Sequence, residues 1–303
     1  MRIRLDWAGD KLAQRLADIE AGLITPPTPR DASTVMVLRS GRPGPGSGVE
    51  VLMLRRVAAM KFAPGAYVFP GGSVDPADSD PEIGWQGPDP AEFGARLGAS
   101  AEMARALVCA AVRETFEESG VLLAGPPGGG PPSVPSGPSW DADREALAAG
   151  AVTLAGLLAR RGLVLRADLL VPWARWITPE GEPRRFDARF FAAALPAGQV
   201  PTGHAAESDH IAWLRPADAI AAARAGEISL FPPTAATLND FAMADTVVAD
   251  TVVADTVVAD TVVADTVAGI LAAPPLIEPV LPRLVREDGQ AWLYVPDEVG
   301  YPL

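Results

Sequence analysis

Residues 100–119, SAEMARALVCAAVRETFEES, constrain this chain more than any other segment. Ser100 stands where a helix N-cap belongs, Glu102 suits the first turn, and Gly120 provides the stop. Leu107, Val108, Ala111 and Phe116 carry an apolar side at helical spacing. On the same helix, Glu114, Glu117 and Glu118 stand at i, i+3 and i+4, so they project within about a turn of one another. Three such carboxylates repel unless a cation sits between them. Arg113, four residues before Glu117, can orient or partly neutralise the cluster. Hard oxygen donors on a short arc suit Mg²⁺ or Mn²⁺, ions that keep several waters and bind phosphate oxygens. An isolated E-x-x-E-E is more often a solvated acidic helix face. That reading leaves unexplained the upstream turn Pro70-Gly71-Gly72, where the strand Tyr67-Val68-Phe69 must bring backbone close to something.

Around this helix the chain mixes strands and helices. Residues 9–22 predict an amphipathic helix through Leu12, Leu16 and Ile19, followed by the Pro-rich hinge TPPTP. Segments 33–39 and 49–56 predict a strand pair across the connector 41–48. Residues 79–99 read as loop and Val121–Leu123 as strand. The stretch 125–139, with 11 Gly or Pro in 15 residues, cannot pack a core and is expected to be mobile. One or two helices are expected over 141–160, strands over 169–177, 185–195 and 210–214, a short helix over 216–225, and a turn at Phe231-Pro232-Pro233-Thr234. Strands and helices do not strictly alternate, which predicts an α+β fold.

Residues 244–268 carry five tandem copies of ADTVV, the last ending in Ala268. A five-residue period gives neither a helix nor a strand a fixed buried side. The repeat therefore reads as a helix lengthened by duplication or a partly disordered excursion, and no chemistry is expected there.

The formal net charge is −13, of which Asp245, Asp250, Asp255, Asp260 and Asp265 supply five, leaving −8 on the rest of the chain. That balance argues against a nucleic-acid partner, which would demand a run of cations. The most apolar run, Leu147–Ala159, falls short of the ~18 residues of a membrane span. The N-terminus lacks a signal-like apolar stretch, and the single Cys109 fits a reducing, cytoplasmic location and a small core residue. With His204 and His210 the only histidines, zinc is not expected. Trp173, Trp176 and Trp213 read as core or pocket wall.

At this point the sequence resembles the Nudix hydrolase family. Arg113–Val121 matches the second half of its signature, G-x5-E-x7-R-E-U-x-E-E-x-G-U, with Thr115 in the apolar slot. Phe69-Pro70-Gly71-Gly72 matches the approach to the first half. Asp78 stands where the family has glutamate, and 34 residues separate it from Arg113 instead of seven, an insertion of 27 over 79–105. The branch of the mammalian peroxisomal coenzyme A diphosphatase carries such an insertion. It also has segments like Ala111–Leu123 and Arg185–Phe190 and a Pro-Pro-Thr turn like 232–234. This chain ends Tyr301-Pro302-Leu303, which is not a peroxisomal tripeptide.

The resemblance implies a Nudix fold, a mixed β-sheet sandwiched between α-helices, over 31–240. Residues 1–30 add a helix and hinge, and 241–303 the repeat and a tail packing on the same domain. It further implies that Glu117 and Glu118 ligate the metal, that Gly72 or Gly71 offers a carbonyl, and that Glu114 is a ligand or the base for the attacking water. Glu207, just before a strand, is the alternative base or ligand, or else a loop residue. Arg184 and Arg185, together with Arg189, would clamp phosphates or form strand-end ion pairs, and Lys61 is a further substrate-binding candidate. The coenzyme A motif R-x3-G-x3-G-x3-FPGG is partly present: Gly65 matches, while Lys61 and Val57 replace its glycine and arginine. The implied reaction is metal-dependent cleavage of a diphosphate in coenzyme A or acyl-CoA. ADP-ribose, NADH or another nucleoside diphosphate derivative is the alternative substrate, and a non-catalytic nucleotide-binding module is the alternative of another class. Family members are often dimers, which extends to this chain as the expectation of a homodimer.

Overall fold

The computed structural model describes residues 1–4, 9–41, 48–57, 65–204, 208–252, 259–287 and 290–303. Strand Arg2–Arg4 (β1) and helix Gly9–Glu20 (α1) precede four strands, Arg30–Ser40 (β2), Val49–Arg56 (β3), Ala66–Val68 (β4) and Gly71–Ser73 (β5). A 3-10 turn at Pro76–Ser79, strand Trp85–Gln86 (β6) and helix Pro90–Leu97 (α2) lead to the central helix Ala101–Ser119 (α3). Ala124–Gly125 (β7), Pro138–Ala148 (α4), Leu154–Arg161 (α5) and Val164–Arg166 (β8) follow. Then come Val171–Ile177 (β9), Phe186–Ala194 (β10), Ser208–Leu214 (β11), Pro216–Arg224 (α6) and Ser229–Leu230 (β12). The chain finishes with Pro232–Val252 (α7), Ala259–Ala272 (α8), Pro279–Val280 (β13), Arg283–Glu287 (β14) and Gln290–Tyr294 (β15).

The main sheet runs β12-β4-β3-β2-β10-β9-β13, with β11 added on β3 and β5 on β2. It is mixed: β2 lies parallel to β10 but antiparallel to β3 and β5. β2 carries successive apolar residues because both of its faces are covered. Val35 and Val37 pack with Leu107, Val108, Val112 and Phe116 of α3 and with Phe191. Met36 and Leu38 pack on the other face with Trp173, Phe241, Val267 and Ile270, from α7, α8 and the strands. Burying one such side chain contributes roughly 1.5–3 kcal/mol, so the two apolar layers hold α3 and the α7–α8 pair on opposite faces. The Ser33 hydroxyl donates to the Leu107 carbonyl at 2.6 Å, which pins α3 along β2. Helices on both faces of a mixed sheet are the α+β architecture expected from the sequence.

The Ser100 and Gly120 caps lie at the ends of α3 as expected, and β2 and β3 form the expected pair. Three segments differ from their sequence reading. Residues 79–99 are not a plain loop: Asp89 caps α2 with Glu92 in a capping box behind Pro90, and α2 buries Phe93 and Leu97. Val121–Leu123 are buried but not strand, because the Gln199 amide accepts from Leu122 N–H at 2.9 Å and donates to its carbonyl at 2.8 Å. The Gly/Pro stretch, as its composition predicts, packs no core of its own; side chains and the Ser133 N–H on the Ala124 carbonyl bond it to the body. Arg166 bonds the Gly130 carbonyl, Gln199 the Ser133 carbonyl, and Gly129 N–H donates to Gln86. Pro232 and Pro233 open α7 instead of forming a turn, a position where the missing N–H costs nothing. The described part of the ADTVV repeat is helical, divided between α7 and α8, while 253–258 lie outside the described residues.

A separate three-stranded sheet, β1-β15-β14, brings the first and last segments together, with α1 packed on it through Leu12 and Leu16. Among the described residues, no helix is long and apolar enough to cross a membrane.

Candidate functional site

A single arginine joins the glutamates to the chain that precedes the insertion. Arg113 donates from Nε and Nη2 to the two oxygens of Asp78, both at 2.9 Å, and from Nη2 to the Ser73 carbonyl at 2.9 Å. Its Nη1 reaches Glu114 at 2.8 Å and Glu117 at 3.4 Å. Asp78, whose side chain is only 1% exposed, also accepts from its own Asp75 N–H at 2.8 Å. Asp78 thus reaches Arg113 across 34 intervening residues because the capped 3-10 turn Pro76–Ser79 packs against α3. The fork geometry of guanidinium on carboxylate keeps the glutamate arc at a fixed height.

The glycine turn lies against that arc. Gly71 N–H donates to Glu118 Oε2 at 3.0 Å. A Cβ on Gly72 would collide with the Glu114 carboxylate, and one on Gly71 with the Ser33 carbonyl and Thr34. Here the two glycines are required by close approach, from β2 on one side and the glutamates on the other.

The three glutamates are largely enclosed, with Glu114 and Glu117 side chains 14% exposed and Glu118 buried. Burial, and then the neighbouring Glu114 charge, push the Glu117 carboxyl up to about 7 against the pull of Arg113. Burial alone would lower Arg113, but its bond to Asp78 and the charges of Glu114, Asp78 and Glu117 outweigh it, so its pKa is raised. Among the described residues, no three carboxylate, imidazole or thiolate side chains are gathered on one point. In this arrangement their oxygens reach Arg113 and Gly71 N–H. The donor set nevertheless fits a hard divalent cation in its chemistry: it is all carboxylate oxygen, carried within one helical turn and met by a glycine backbone. Glu114, Glu117 and Glu118 are the residues that could bind such an ion.

The remaining candidates are not gathered there. Arg185 is buried, with its donors on the carbonyls of Thr178 and Pro27 at 3.0 Å each, so it ties together the ends of β9, β10 and β2. Arg189 is buried with Asp31 and Asp187 at 2.8 Å, and Arg175 shares Asp187, which is the ion-pair alternative. Arg184 is exposed. Lys61 and Glu207 lie outside the described residues. Cys109 is buried on α3, and burial pushes its thiol up to about 12, the environment of an inert core residue.

Sequence reasoning missed Arg144. On α4, it donates from Nε to the Glu117 carbonyl at 2.8 Å, and from Nη1 and Nη2 to the Thr202 hydroxyl and carbonyl at 2.9 and 2.8 Å. No local pattern signals it, since its acceptors lie 27 and 58 residues away and two of the three are backbone carbonyls.

A family model for the NUDT19 Nudix domain matches residues 91–240. The chain is 31% identical over 253 residues to the acyl-coenzyme A diphosphatase NUDT19 of Gallus gallus, covering 67% of this chain and 65% of that protein. It is 31% identical to the human protein of that name, covering 63% and 60%. It is 33% identical to the putative nudix hydrolase 7 of Caenorhabditis elegans, covering 60% and 52%. The chain thus spans between half and two thirds of the length of these curated relatives. The crystal structure of a NUDIX hydrolase from Alicyclobacillus acidocaldarius is similar over 71% of this chain and 91% of that one, with 31% identity and a TM-score of 0.58. With the mixed sheet between helices and the signature residues folded around the glycine turn, these likenesses show that the chain belongs to the Nudix hydrolase family.

Proposed function

We propose that this protein is a divalent-cation-dependent diphosphatase acting on a small nucleoside diphosphate derivative, with acyl-coenzyme A or coenzyme A as substrate and Mg²⁺ or Mn²⁺ as cofactor. The observation that carries the reading is the close approach of Gly71-Gly72 to Glu114 and Glu118, with Arg113 anchored on Asp78 beside them. The names of the relatives support the choice of substrate.

Glu117 and Glu118, with Glu114, would hold the ion, and the bound ion would supply charge neutralisation on the phosphate oxygens. Arg113 keeps Glu114 and Glu117 oriented. Phosphoanhydride cleavage needs an in-line water and a group to accept its proton, and little further covalent chemistry. Glu114 is the candidate for that proton, with Glu207 the other. The P–O–P bridge breaks as the water oxygen bonds phosphorus, which gives 3′,5′-ADP and (acyl-)phosphopantetheine from the coenzyme A substrates.

The test is a panel of acyl-CoA, CoA, dephospho-CoA, ADP-ribose, NADH and nucleoside triphosphates with Mg²⁺ or Mn²⁺ at mildly alkaline pH. Acyl-CoA or CoA should be hydrolysed fastest, and Glu117→Gln should lose the activity. Failure to hydrolyse any diphosphate would sink the enzyme reading. Equal rates on CoA and dephospho-CoA would remove recognition of the 3′-phosphate.

A further inference from the structure

We propose that Arg144 is a positioning residue of the metal centre: it clamps the last turn of α3, which carries Glu117 and Glu118, onto the segment that runs from Gln199 to His204. The inference rests on the diphosphatase reading above. A helix end leaves its final carbonyls without intrahelical donors. At this end Gly120 N–H donates to the Phe116 carbonyl at 2.9 Å, Arg144 Nε to Glu117 at 2.8 Å, and Thr202 N–H to Ser119 at 2.9 Å. One cation and one loop amide thus take two of the final carbonyls, and the same cation grips that loop residue twice more through its hydroxyl and carbonyl. A positive charge is also favourable at a helix C-terminus.

The clamp has a firm support. α4 lies on α3 through Trp140, edge-on to Phe116 at 6.0 Å, and Arg161 stacks over the same indole at 4.2 Å. Gly120, in the left-handed region at φ +70°, leaves room for the clamp. A Cβ there would come within 3.1 Å of the Thr202 hydroxyl and 3.3 Å of Arg144 Nη1. The glycine of the signature thus matters for what crosses behind it as well as for ending the helix. Arg113 and Gly71 fix the glutamate side chains from the front, while Arg144 fixes the backbone of Glu117 from behind.

The experiment compares the parent, Arg144→Ala and Arg144→Lys in the full chain. Mn²⁺ affinity is read by EPR of free Mn²⁺, kcat and KM on the substrate found above, and folding by thermal melting. Geometric slack of this kind costs on the order of 10²-fold in rate. Arg144→Ala should lower kcat on that scale per folded molecule, weaken Mn²⁺ binding at least threefold and leave KM within about twofold. Arg144→Lys, which can reach one acceptor but not the whole set, should fall between, and millimolar guanidinium should partly restore Arg144→Ala. Parental kcat and Mn²⁺ affinity in folded Arg144→Ala, or losses that only track the unfolded fraction, would overturn the clamp. If Arg144→Ala does not fold, parental values in Arg144→Lys overturn it. A parent that binds Mn²⁺ but hydrolyses no diphosphate would sink the proposed reaction alone, because the Mn²⁺ comparison still reads the clamp.

Discussion

Removing Asp78 tests whether its bonds to Arg113 support the glutamate arc. Asp78→Ala deletes two charge-assisted bonds from Arg113 at 2.9 Å and one from Asp75 N–H at 2.8 Å, all at a side chain with 1% exposure. Taking one partner from a buried ion pair costs about 3–5 kcal/mol, because the other charge stays behind. Arg113 keeps the Ser73 carbonyl, Glu114 and Glu117, which places the expected loss near the lower end, about 3 kcal/mol. For a chain of 303 residues that corresponds to a fall in melting temperature of roughly 5 °C. Asp78→Asn retains an acceptor and the shape, so it should cost about 1–2 kcal/mol. Urea unfolding at pH 7, followed by two probes and fitted by linear extrapolation, measures both losses. A loss below about 1 kcal/mol for Asp78→Ala would refute the reasoning, as would an Asn variant no better than the Ala variant.

Two further predictions concern the same helix. The Glu117 carboxyl is raised from 4.5 to about 7 in the fold, so between those values the folded protein holds a proton that the unfolded chain has released. Its contribution to stability without metal is full below pH 4.5 and is lost as pH rises through 7. A metal must displace that proton, so Mn²⁺ affinity should be about tenfold weaker at pH 6 than on its plateau at pH 8, and Glu117→Gln should abolish that slope. Calorimetric titration that finds a flat profile in the parent would contradict the assignment. Gly120→Ala places a side chain at φ +70° against Thr202 and Arg144, at a cost of about 1–3 kcal/mol. Circular dichroism melting reads that cost, and an unchanged Tm would mean the helix end relaxes freely.

Much of this architecture was legible in the sequence because its causes are local. The α3 caps, the continuous apolar runs of β2 and β3, and the i, i+3, i+4 glutamates need only near neighbours to be recognised. The capping box Asp89–Glu92 around Pro90 is equally local, but α2 is short and its Gly- and Pro-rich flanks read as loop. What could not be read depends on partners far along the chain. Leu122 is denied a strand by Gln199, 77 residues on, and the Gly/Pro stretch is held by Arg166, Gln86 and Gln199 rather than by any apolar content of its own. Arg185 looked like a phosphate ligand because an arginine's charge is visible in sequence, whereas the carbonyls of Pro27 and Thr178 that occupy it are not.

The sequence by itself determined the chemistry: three hard carboxylates on one helical arc, facing a glycine turn that leaves no side chain in the way. Helical periodicity and the absence of a Cβ are properties of single residues and their spacing. Only the tertiary structure decided how that arc is held. Asp78 meets Arg113 across the insertion, and Arg144 meets Glu117 and Thr202 from a helix that shares no pattern with either. Guanidinium groups reach carbonyls and carboxylates wherever packing brings them, and that packing is set by the two apolar layers on either side of β2.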